Sequence, residues 1–580
     1  MTPVKLFLLS LSFFVCVVFV AIQSSLHAQT PCDNSDNLTV LDDFKWNNST
    51  FNGNDIFWDV VVVDLDDNEA TNDGWVAVGE SFTSPTAKRQ GLIVYFKEDD
   101  FTGDLDVEWA FTYEANPGTG SNQNDILYGV AQSSDHNIIV CGTTKSTEYG
   151  GVLNKNAWFL KVDIDNGQEL ANEEFGGSGD DEAFDIIEDL NGDYVIAGGT
   201  GDTKDGDLST CPGGAINAAG EYWVFAIDPT NMDEIEWQRK FHGDSDCSTG
   251  SWNDYARQII VDHEGYYAVA GYCLNCEANC VEMQSMIVKF SLSGVQWKKD
   301  HGDESSYNKD QGSHFAMETQ EGSNYRYVTA GVHHPNMCFS SSSHNVYVTK
   351  VNPSSGNHIT TWSPGCHLDQ GKTYGGDKPD EGYSAVEDCD GNYLIAGGTK
   401  SRNSFDVDCN NGEAGTYDGW LLSLSTSGTI LWKESLGSTG NDQFYSIKKN
   451  YDGSYIVVGE FGNGSTFLQD GYIAKFELND CPIQVRVEGN HISPNIVTYP
   501  NPADEILSVS IRQSSKSAQE ATIEIVNFFS TILYKTDFIV DDDGLFHKTI
   551  KVDNLPAGRY QIRVITHTEI HQSSFLIVRP

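Results

Sequence analysis

Seven short apolar runs, each ending in glycine, recur along this 580-residue chain at a spacing of roughly sixty residues. The intervals between these glycines are 63, 56, 73, 60, 66 and 62 residues. The glycines are Gly79, Gly142, Gly198, Gly271, Gly331, Gly397 and Gly459. Self-similarity at a fixed period of this size is typical of architectures built from repeated supersecondary units. The repeat therefore constrains the fold strongly, although it does not indicate an activity.

Each repeat reads as four β-strands. In the clearest copy, apolar runs bounded by Gly, Asp and Asn predict strands at residues 181–188, 193–200, 222–228 and 234–242. A tight turn ending at Gly192, where a positive φ is expected, joins the first two strands. The fourth strand carries a tryptophan that we expect to pack between units. These residues are Trp46, Trp109, Trp237, Trp297, Trp362 and Trp432. Seven such units predict an all-β, seven-bladed β-propeller.

The seventh unit lacks a fourth strand, and the N-terminal segment supplies a candidate. Phe44 and Trp46, followed by the sequence Gly-Asn-Asp at 53–55, match Leu431 and Trp432 followed by Gly-Asn-Asp at 440–442. We expect the N-terminal strand to complete the last sheet and so remove its open edge. A disulfide between Cys32 and Cys481 would lock this closure.

The first 28 residues have the layout of a secretory signal peptide. Lys5 provides the positive start, residues 6–22 are apolar apart from two serines, and small residues precede Ala28. No later stretch is apolar enough to predict a transmembrane segment in the mature chain. The sequence therefore predicts a secreted or cell-surface protein.

The net charge of −49 lies almost entirely on the repeats, since the tail from Ile492 carries 8 basic and 10 acidic residues. A field of this sign repels nucleic acid and anionic lipid, and it attracts cations such as calcium. No cofactor is required by any motif, so calcium is the one candidate.

The 13 cysteines include Cys16 of the signal segment, which leaves an even number for an exported chain. That count favours disulfides over thiol chemistry. Most of these cysteines fall in the long loops that follow the second and fourth strands, where binding surfaces usually reside. Besides Cys32–Cys481, the candidate pairs are Cys211–Cys247 and Cys338–Cys366.

An acidic residue begins the first strand of most units, and an aromatic residue usually follows three positions later. The acidic residues are Asp55, Asp125, Asp181, Asp254, Asp380 and Asp442. Because first strands line the channel of a propeller, six carboxylates would ring its mouth and could bind calcium or a cationic group. Alternatively, each side chain accepts backbone N–H bonds and fixes the preceding turn.

The C-terminal 85 residues differ from the repeats and read as a small β-sandwich. Tyr-Pro-Asn-Pro-Ala at 499–503, a middle strand, and Leu-Pro-Ala-Gly-Arg-Tyr at 555–560 occur in that order. This segment resembles the type A C-terminal sorting domain of the type IX secretion system of Bacteroidetes. The resemblance implies passage through the inner membrane and then export across the outer membrane, with the domain commonly removed. The expected domains are a signal peptide at 1–28, a propeller at 29–480, a linker at 481–494 and the sorting domain at 495–580.

The repeats themselves resemble a broad class of secreted bacterial propellers, with residues 176–200 as the best copy. That class has no single activity. No catalytic motif is present in the sequence. We therefore expect a binding or adhesion module rather than an enzyme, with a glycan or protein ligand on the long-loop face. The alternatives are a secreted polysaccharide hydrolase that uses carboxylates at the channel mouth, such as Asp181 or Asp254, and a matrix scaffold.

Overall fold

In a computed structural model of the chain, the repeat glycines lie on the second strands of four-stranded antiparallel sheets. The chain is all-β, and the described residues include one short 3-10 helix, Gly206–Thr210. The structure describes residues 37–46, 54–65, 73–82, 88–98, 104–115, 124–147, 153–201, 205–210, 221–242, 254–274, 283–301, 311–333, 344–359, 371–408, 410, 415–462, 469–479, 496–499, 506–512, 519–527, 532–540, 545–552, 555, 558–566 and 570–577. The predicted signal peptide, the linker and the six cysteines of the three proposed pairs lie outside these residues.

The repeat region forms seven four-stranded sheets, numbered here in chain order. The N-terminal strand is β1 (Leu38–Trp46). Sheet 1 contains β2 (Asn54–Val63), β3 (Gly74–Phe82), β4 (Gln90–Glu98) and β5 (Leu105–Tyr113). Sheet 2 contains β6 (Ile126–Gln132), β7 (Ile138–Ser146), β8 (Asn154–Val162) and β9 (Glu169–Phe175). Sheet 3 contains β10 (Asp181–Glu188), β11 (Tyr194–Thr200), β12 (Glu221–Asp228) and β13 (Asn231–Phe241).

The remaining four sheets follow the same plan. Sheet 4 contains β14 (Tyr255–Val261), β15 (Tyr267–Leu274), β16 (Met283–Ser291) and β17 (Gly294–His301). Sheet 5 contains β18 (Gln311–Glu321), β19 (Asn324–His333), β20 (Asn345–Val351) and β21 (Lys372–Tyr374). Sheet 6 contains β22 (Asp380–Glu387), β23 (Tyr393–Thr399), β24 (Asp418–Leu424) and β25 (Ile430–Leu436). Sheet 7 contains β26 (Asp442–Lys449), β27 (Tyr455–Gly462), β28 (Gln469–Leu478) and the N-terminal β1.

The repeat glycine has a steric cause. In sheet 3, Ala183 of β10 pairs with Gly198 of β11 and Asp185 pairs with Ala197, which leaves Phe184 between them as an unpaired, bulged residue. A Cβ on Gly198 would lie 1.8 Å from the carbonyl oxygen of Glu182. No side chain fits at that distance, so glycine is required where the bulged strand approaches.

The same close approach recurs around the repeat region. A Cβ would lie 1.8 to 1.9 Å from a carbonyl oxygen of the facing first strand at each of six repeat glycines. These are Gly79, Gly142, Gly198, Gly271, Gly397 and Gly459. Each first strand carries a one-residue register shift at this point. The glycine repeat in the sequence is therefore the imprint of a repeated β-bulge.

The first strands of neighbouring sheets contact one another, and we refer to them as the inner strands. These contacts run from β2 through β6, β10, β14, β18 and β22 to β26, and β26 in turn contacts β2. Side chains tie the inner strands together: Asp185 on β10 accepts a hydrogen bond from the Ile259 amide on β14, at 2.8 Å. Between β26 and β2, the Ser446 hydroxyl donates to Asp59 at 2.6 Å.

The N-terminal strand completes sheet 7, as the sequence predicts. β1 runs antiparallel to β28, with Leu38 opposite Leu478 and Trp46 opposite Gly471. A second contact joins sheet 7 to sheet 1, because the Trp75 indole donates to Asn450 at 2.8 Å.

The fourth-strand tryptophans pack between sheets, which confirms that prediction for the residues described. Trp109 donates to the carbonyl of Ile164 in the next sheet at 2.7 Å, and Trp297 donates to that of Pro353 at 2.8 Å. Trp237 of sheet 3 contacts the rings of Tyr267 and Phe290 in sheet 4. Aromatic contacts of this kind stabilise an interface beyond the area they bury.

The acidic hairpin turns between first and second strands also bind the next sheet. Gly192 has a φ of 91°, as the turn prediction requires. In that turn, one oxygen of Asp189 accepts backbone N–H bonds, and the other accepts the Tyr267 hydroxyl of sheet 4 at 2.5 Å. Asp262 and Tyr327 repeat this arrangement one sheet further on, also at 2.5 Å. These turns therefore have a structural role at the sheet interfaces.

The C-terminal part forms two antiparallel sheets. One has the order β29 (Ile496–Tyr499), β30 (Ile506–Arg512) and β33 (Leu545–Lys551). The other has the order β32 (Ile532–Val540), β31 (Gln519–Asn527), β34 (Gly558–Thr566) and β35 (Ile570–Ile577). Ile523, Ile525 and Ile562 are fully buried on the second sheet. No helix in the described part of the chain has the length and apolar character needed to cross a membrane.

Removing the Tyr267 hydroxyl should weaken the interface between sheets 3 and 4. Tyr267→Phe leaves a buried carboxylate without this donor, so we expect a loss of about 2 kcal/mol in the free energy of unfolding. The measurement is urea unfolding of the exported chain, followed by tryptophan fluorescence.

Tyr455→Phe is the matched control for this substitution. Tyr455 also begins a second strand, but its hydroxyl faces the backbone of Cys389 and makes no hydrogen bond to a turn carboxylate. Its replacement should change stability by less than about 0.5 kcal/mol. Equal effects of the two substitutions would contradict the structural role given to the turn aspartates.

Candidate functional site

The six aspartates predicted to ring the channel mouth are all buried at the starts of inner strands. The Asp181 carboxylate accepts the amide of Gly177 in the preceding turn at 2.7 Å and that of Gly201 after β11 at 3.3 Å. Asp442 likewise accepts the amides of Ser438 at 2.6 Å and Gly462 at 2.8 Å. Each carboxylate therefore connects the turn before its own strand to the end of the second strand.

The other members of this set have comparable surroundings. Asp380 accepts the Gly376 amide at 2.6 Å and the hydroxyl of Thr399. Asp125 accepts the Thr144 hydroxyl at 2.5 Å and has Lys88 at 3.8 Å. Asp55 and Asp254 are 1% and 6% exposed. Burial raises the pKa of Asp125, Asp181 and Asp442 to about 6 and that of Asp380 to about 7.

These contacts are the ones that the turn-fixing alternative requires. Calcium or ligand binding by the six aspartates stays a prediction. Among the described residues, no group of three or more His, Cys, Asp or Glu side chains is arranged to hold a metal ion.

The bulged residues of the inner strands form a row of aromatic rings. Trp58 lies 4.3 Å from Tyr445 and 5.7 Å from Tyr128, measured between ring centroids. Tyr445 lies 5.0 Å from Tyr383, and Tyr128 lies 5.2 Å from Phe184. We call these five residues, which come from five different sheets, the aromatic row. Apart from buried Phe184, they are only partly buried, so their rings line an accessible surface.

Sheet 4 interrupts the aromatic row with a cation. Its bulged residue is Arg257, because the pairing of β14 with β15 shifts between Ala256 and Gln258. The guanidinium carbon of Arg257 lies 3.9 Å from the centre of the Phe184 ring. Its Nη2 donates to the Tyr272 hydroxyl at 3.1 Å.

Four glutamates, the channel carboxylates, surround the aromatic row. Glu182 and Glu381 each follow one of the predicted aspartates, whereas Glu80 and Glu460 each follow a repeat glycine. Three of them have close partners: Glu80 pairs with Arg89 at 2.6 Å, Glu182 pairs with Lys155 at 2.6 Å, and Glu381 accepts the Tyr417 hydroxyl at 2.7 Å. Glu381 also accepts the hydroxyl of Tyr383 from the row itself.

Burial perturbs the carboxylates that lie closest to sheet 7. Desolvation, reinforced by the charges of Asp442 and Glu80, raises the pKa of Glu460 to about 8, although the Tyr445 hydroxyl opposes this by hydrogen bonding. Desolvation also raises the pKa of Glu80, and Arg89 opposes that shift. Glu460 is therefore largely protonated at neutral pH, and it can donate as well as accept hydrogen bonds.

The sequence predicted an aromatic residue three positions after most of the aspartates, but it did not single out the glutamates. The predicted aromatics Trp58, Tyr128, Phe184, Tyr383 and Tyr445 are the five members of the row. A sequence pattern for the glutamates was present, since each directly follows either a strand-start aspartate or a repeat glycine. In a chain with 84 acidic residues, however, neighbouring acids are common and carry little information.

A second concavity lies further along the inner strands, toward the hairpin turns. It has a volume of 560 Å³ and is lined by β14, β18, β22 and β26. Its wall includes apolar Ile260 and Val386 together with Glu318, Glu387 and Lys448. Glu318 binds the His263 ring at 2.7 Å, so the acidic groups here are already engaged.

Cysteine pairing is only partly described. Cys273 and Cys389 each take part in a disulfide bond, and no bond joins the two to each other. Cys141 is a buried free thiol. The sequence offered no partner for Cys389, which lies in a hairpin turn. The proposed pairs Cys32–Cys481, Cys211–Cys247 and Cys338–Cys366 fall outside the described residues and stay predictions.

The tail matches a known family. Residues 497–579 match the secretion system C-terminal sorting domain. The chain is therefore a protein secreted through the type IX system to the cell surface or the extracellular space. None of the curated proteins compared with the chain matches it.

Solved structures with low similarity were also found. A fungal alcohol oxidase of the AA5 family, in complex with copper, has a TM-score of 0.38 and 10% identity, covering 93% of this chain and 98% of its own. A Dyadobacter fermentans protein of unknown function has a TM-score of 0.38 and 9% identity, covering 76% and 99%. The Penicillium chrysogenum alpha-L-arabinanase, complexed with arabinobiose, has a TM-score of 0.36 and 10% identity, covering 61% and 94%.

The raised pKa of Glu460 should make stability depend on pH. The folded state holds this proton more tightly than the unfolded chain does, so the free energy of unfolding should fall as pH rises from about 4.5 to about 8. Glu460→Gln removes this dependence. Since one pKa unit corresponds to about 1.4 kcal/mol, we expect the variant to gain on the order of 2 to 4 kcal/mol over the wild type at pH 9 and almost nothing at pH 5.

Thermal and urea unfolding at pH 5, 7 and 9 would measure this difference. Glu108→Gln, at an exposed position of β5, is the control and should follow the wild-type profile. A Glu460→Gln profile parallel to the wild type would show that Glu460 is ionised in the folded protein.

Proposed function

We propose that this protein is a secreted or cell-surface binding module that takes a glycan on the inner-strand site formed by the aromatic row and the channel carboxylates. The observation that supports this most strongly is the row itself, in which partly buried rings from neighbouring sheets lie 4.3 to 5.7 Å apart. Sugar rings have apolar C–H faces and polar edges. Aromatic surfaces bordered by a few directed polar groups suit such a ligand.

In this proposal the repeat region, residues 29–480, is a seven-bladed β-propeller closed by β1. The contacts of β26 with β2 and the pairing of β1 with β28 support closure. The inner strands then line a central channel, and the glycan site lies at the mouth from which the long loops emerge. Residues 481–494 link the propeller to the sorting domain at 495–580, a small β-sandwich through which the chain engages the secretion machinery. Residues 1–28 act as the signal peptide.

The channel carboxylates suit hydroxyl groups better than a free cation. Glu80 and Glu182 are neutralised by Arg89 and Lys155. Glu460 carries a proton at neutral pH and can act as donor and acceptor toward adjacent sugar hydroxyls. We leave the six buried aspartates outside the site, because Asp181, Asp380 and Asp442 already accept hydrogen bonds from turn amides.

A polysaccharide hydrolase is the second candidate, and Glu460 is the observation that favours it. Glycosidases pair a carboxylic acid that stays protonated near neutral pH with a second carboxylate. Glu460 would be the proton donor and Glu381 the carboxylate, because hydrogen bonds from Tyr383 and Tyr417 and the nearby His344 hold the pKa of Glu381 at about 2.

Replacing a ring of the row should abolish glycan binding without unfolding the protein. Trp58→Ala removes the ring that contacts both Tyr445 and Tyr128, and we expect the affinity for the recognised glycan to fall at least about tenfold. Trp58→Phe keeps an aromatic face and should retain most of the affinity. A glycan array identifies the ligand, and calorimetry measures the change.

The control is Phe111→Ala, which removes an exposed aromatic ring on β5 that is 47% accessible. It should bind like the wild type. Wild-type glycan affinity in Trp58→Ala, together with the circular dichroism spectrum of a folded protein, would contradict the proposed site.

The hydrolase candidate is tested by incubating the chain with a polysaccharide panel and measuring reducing ends. Product that is lost in Glu460→Gln, while binding persists, would establish the enzyme. Binding of a polysaccharide without any product would exclude the hydrolase for that panel and support the binding module.

A further inference from the structure

Arg257 breaks the pattern of its position. Five other sheets place an aromatic side chain at the inner-strand bulge, and sheet 4 places a guanidinium there. A cation among aromatic rings can pack against the last ring of the row, or it can bind an anionic group of a ligand. Its hydrogen bonds distinguish these roles.

The guanidinium is held in place by stacking rather than by ion pairing. Its carbon lies 3.9 Å from the centre of the Phe184 ring, 5.3 Å from that of Tyr272 and 5.7 Å from that of Tyr255. These rings orient the guanidinium plane and cost it no hydrogen-bond donors, because cation–π attraction uses the face of the group.

The donors of Arg257 are largely unused within the described part of the chain. Nη2 donates to the Tyr272 hydroxyl at 3.1 Å, and buried Nε has no acceptor. Nε is too buried for a ligand to reach, so the edge formed by Nη1 and Nη2 is the part of the partly buried Arg257 side chain that a ligand oxygen can approach.

Glu182 attracts Arg257 through its charge, but neither Glu182 nor Glu80 forms a close ion pair with it. Glu182 is bound by Lys155 at 2.6 Å, and Glu80 is bound by Arg89 at 2.6 and 2.8 Å. These two carboxylates therefore leave the Arg257 guanidinium without a close ion pair, although the chain as a whole carries −49. Distant surface charges are screened beyond about 8 Å at physiological salt, so they do not prevent an anionic group from entering.

We propose that Arg257 binds a carboxylate of the ligand, and that the glycan recognised at the inner-strand site contains uronic acid units. Arginine can bind a carboxylate with two parallel hydrogen bonds, and the edge formed by Nη1 and Nη2 is the one that Arg257 has left for them. This inference rests on the proposed function, since it names the class of sugar that the same site selects.

Calorimetry with matched trisaccharides tests this inference. Each pair contains an acidic and a neutral member of the same stereochemistry: galacturonate and galactose, glucuronate and glucose, and mannuronate and mannose. The full exported chain should bind the acidic member of at least one pair about tenfold or more tightly than its neutral counterpart. Arg257→Gln should lose this preference and bind the acidic and neutral members of the pair with affinities that differ less than about twofold.

Two further variants make the result specific. Arg257→Lys keeps the positive charge but loses the paired N–H donors of the guanidinium. It should retain only part of the preference for the acidic trisaccharide. Arg239→Gln is the matched control, because Arg239 on β13 bonds to backbone carbonyls of Gln238 and Leu292 instead of facing the row. It should behave as the wild type. Thermal unfolding of each variant verifies that the fold is retained.

The possible results distinguish the role of Arg257 from glycan binding itself. Equal binding of acidic and neutral members by the wild type, or a preference that survives in Arg257→Gln, would overturn the role of Arg257 and leave glycan binding intact. Failure of the wild type to bind any of the six trisaccharides would overturn both the inference and the proposed function.

Discussion

The close approach of a bulged inner strand to a glycine on its neighbour is the constraint from which the rest of the repeat region follows. A side chain cannot occupy a point 1.8 to 1.9 Å from a carbonyl oxygen, so glycine is required at each site where the bulge presses on the second strand. The bulge also re-aims one residue per sheet, and in five sheets that residue is aromatic. The sequence repeat, the sheet geometry and the aromatic row are consequences of one backbone feature.

The sheets are joined by a small set of interactions that recur with different residues. Turn carboxylates accept tyrosine hydroxyls of the next sheet, as in Asp189 and Tyr267, and fourth-strand tryptophans donate to carbonyls of the next sheet, as in Trp109 and Ile164. Between sheets 7 and 1, Asn450 takes the place of the aspartate and Trp75 that of the tyrosine. Sheets 7 and 1 are therefore joined by the same kind of contact as the other neighbouring sheets. The N-terminal strand β1 completes sheet 7 by pairing with β28.

Much of the architecture was predictable because it depends on local pattern. The first strand of the best repeat was predicted at 181–188, and β10 has those bounds, while the N-terminal strand was predicted from its match to Trp432. The site was less predictable, because it depends on which carboxylates are already bonded. The aspartates at strand starts, such as Asp181, serve the turns, whereas the glutamates beside them, such as Glu182, face the aromatic row. Only the positions of backbone amides distinguish these adjacent acids, and a sequence does not contain those positions. The bulge itself was also missed, although the repeat glycine was its trace.

Substitution of one repeat glycine tests the central claim most directly. Gly198→Ala would place a Cβ 1.8 Å from the Glu182 carbonyl oxygen, so we expect the free energy of unfolding to fall by about 3 kcal/mol or more. Gly322→Ala is the reference: it has a φ of 64° with open space around it, and it should cost only about 1 kcal/mol of backbone strain. Urea unfolding of both variants under the same conditions would measure this difference. A Gly198→Ala chain as stable as the wild type would contradict the account, because the bulge could then accommodate a side chain.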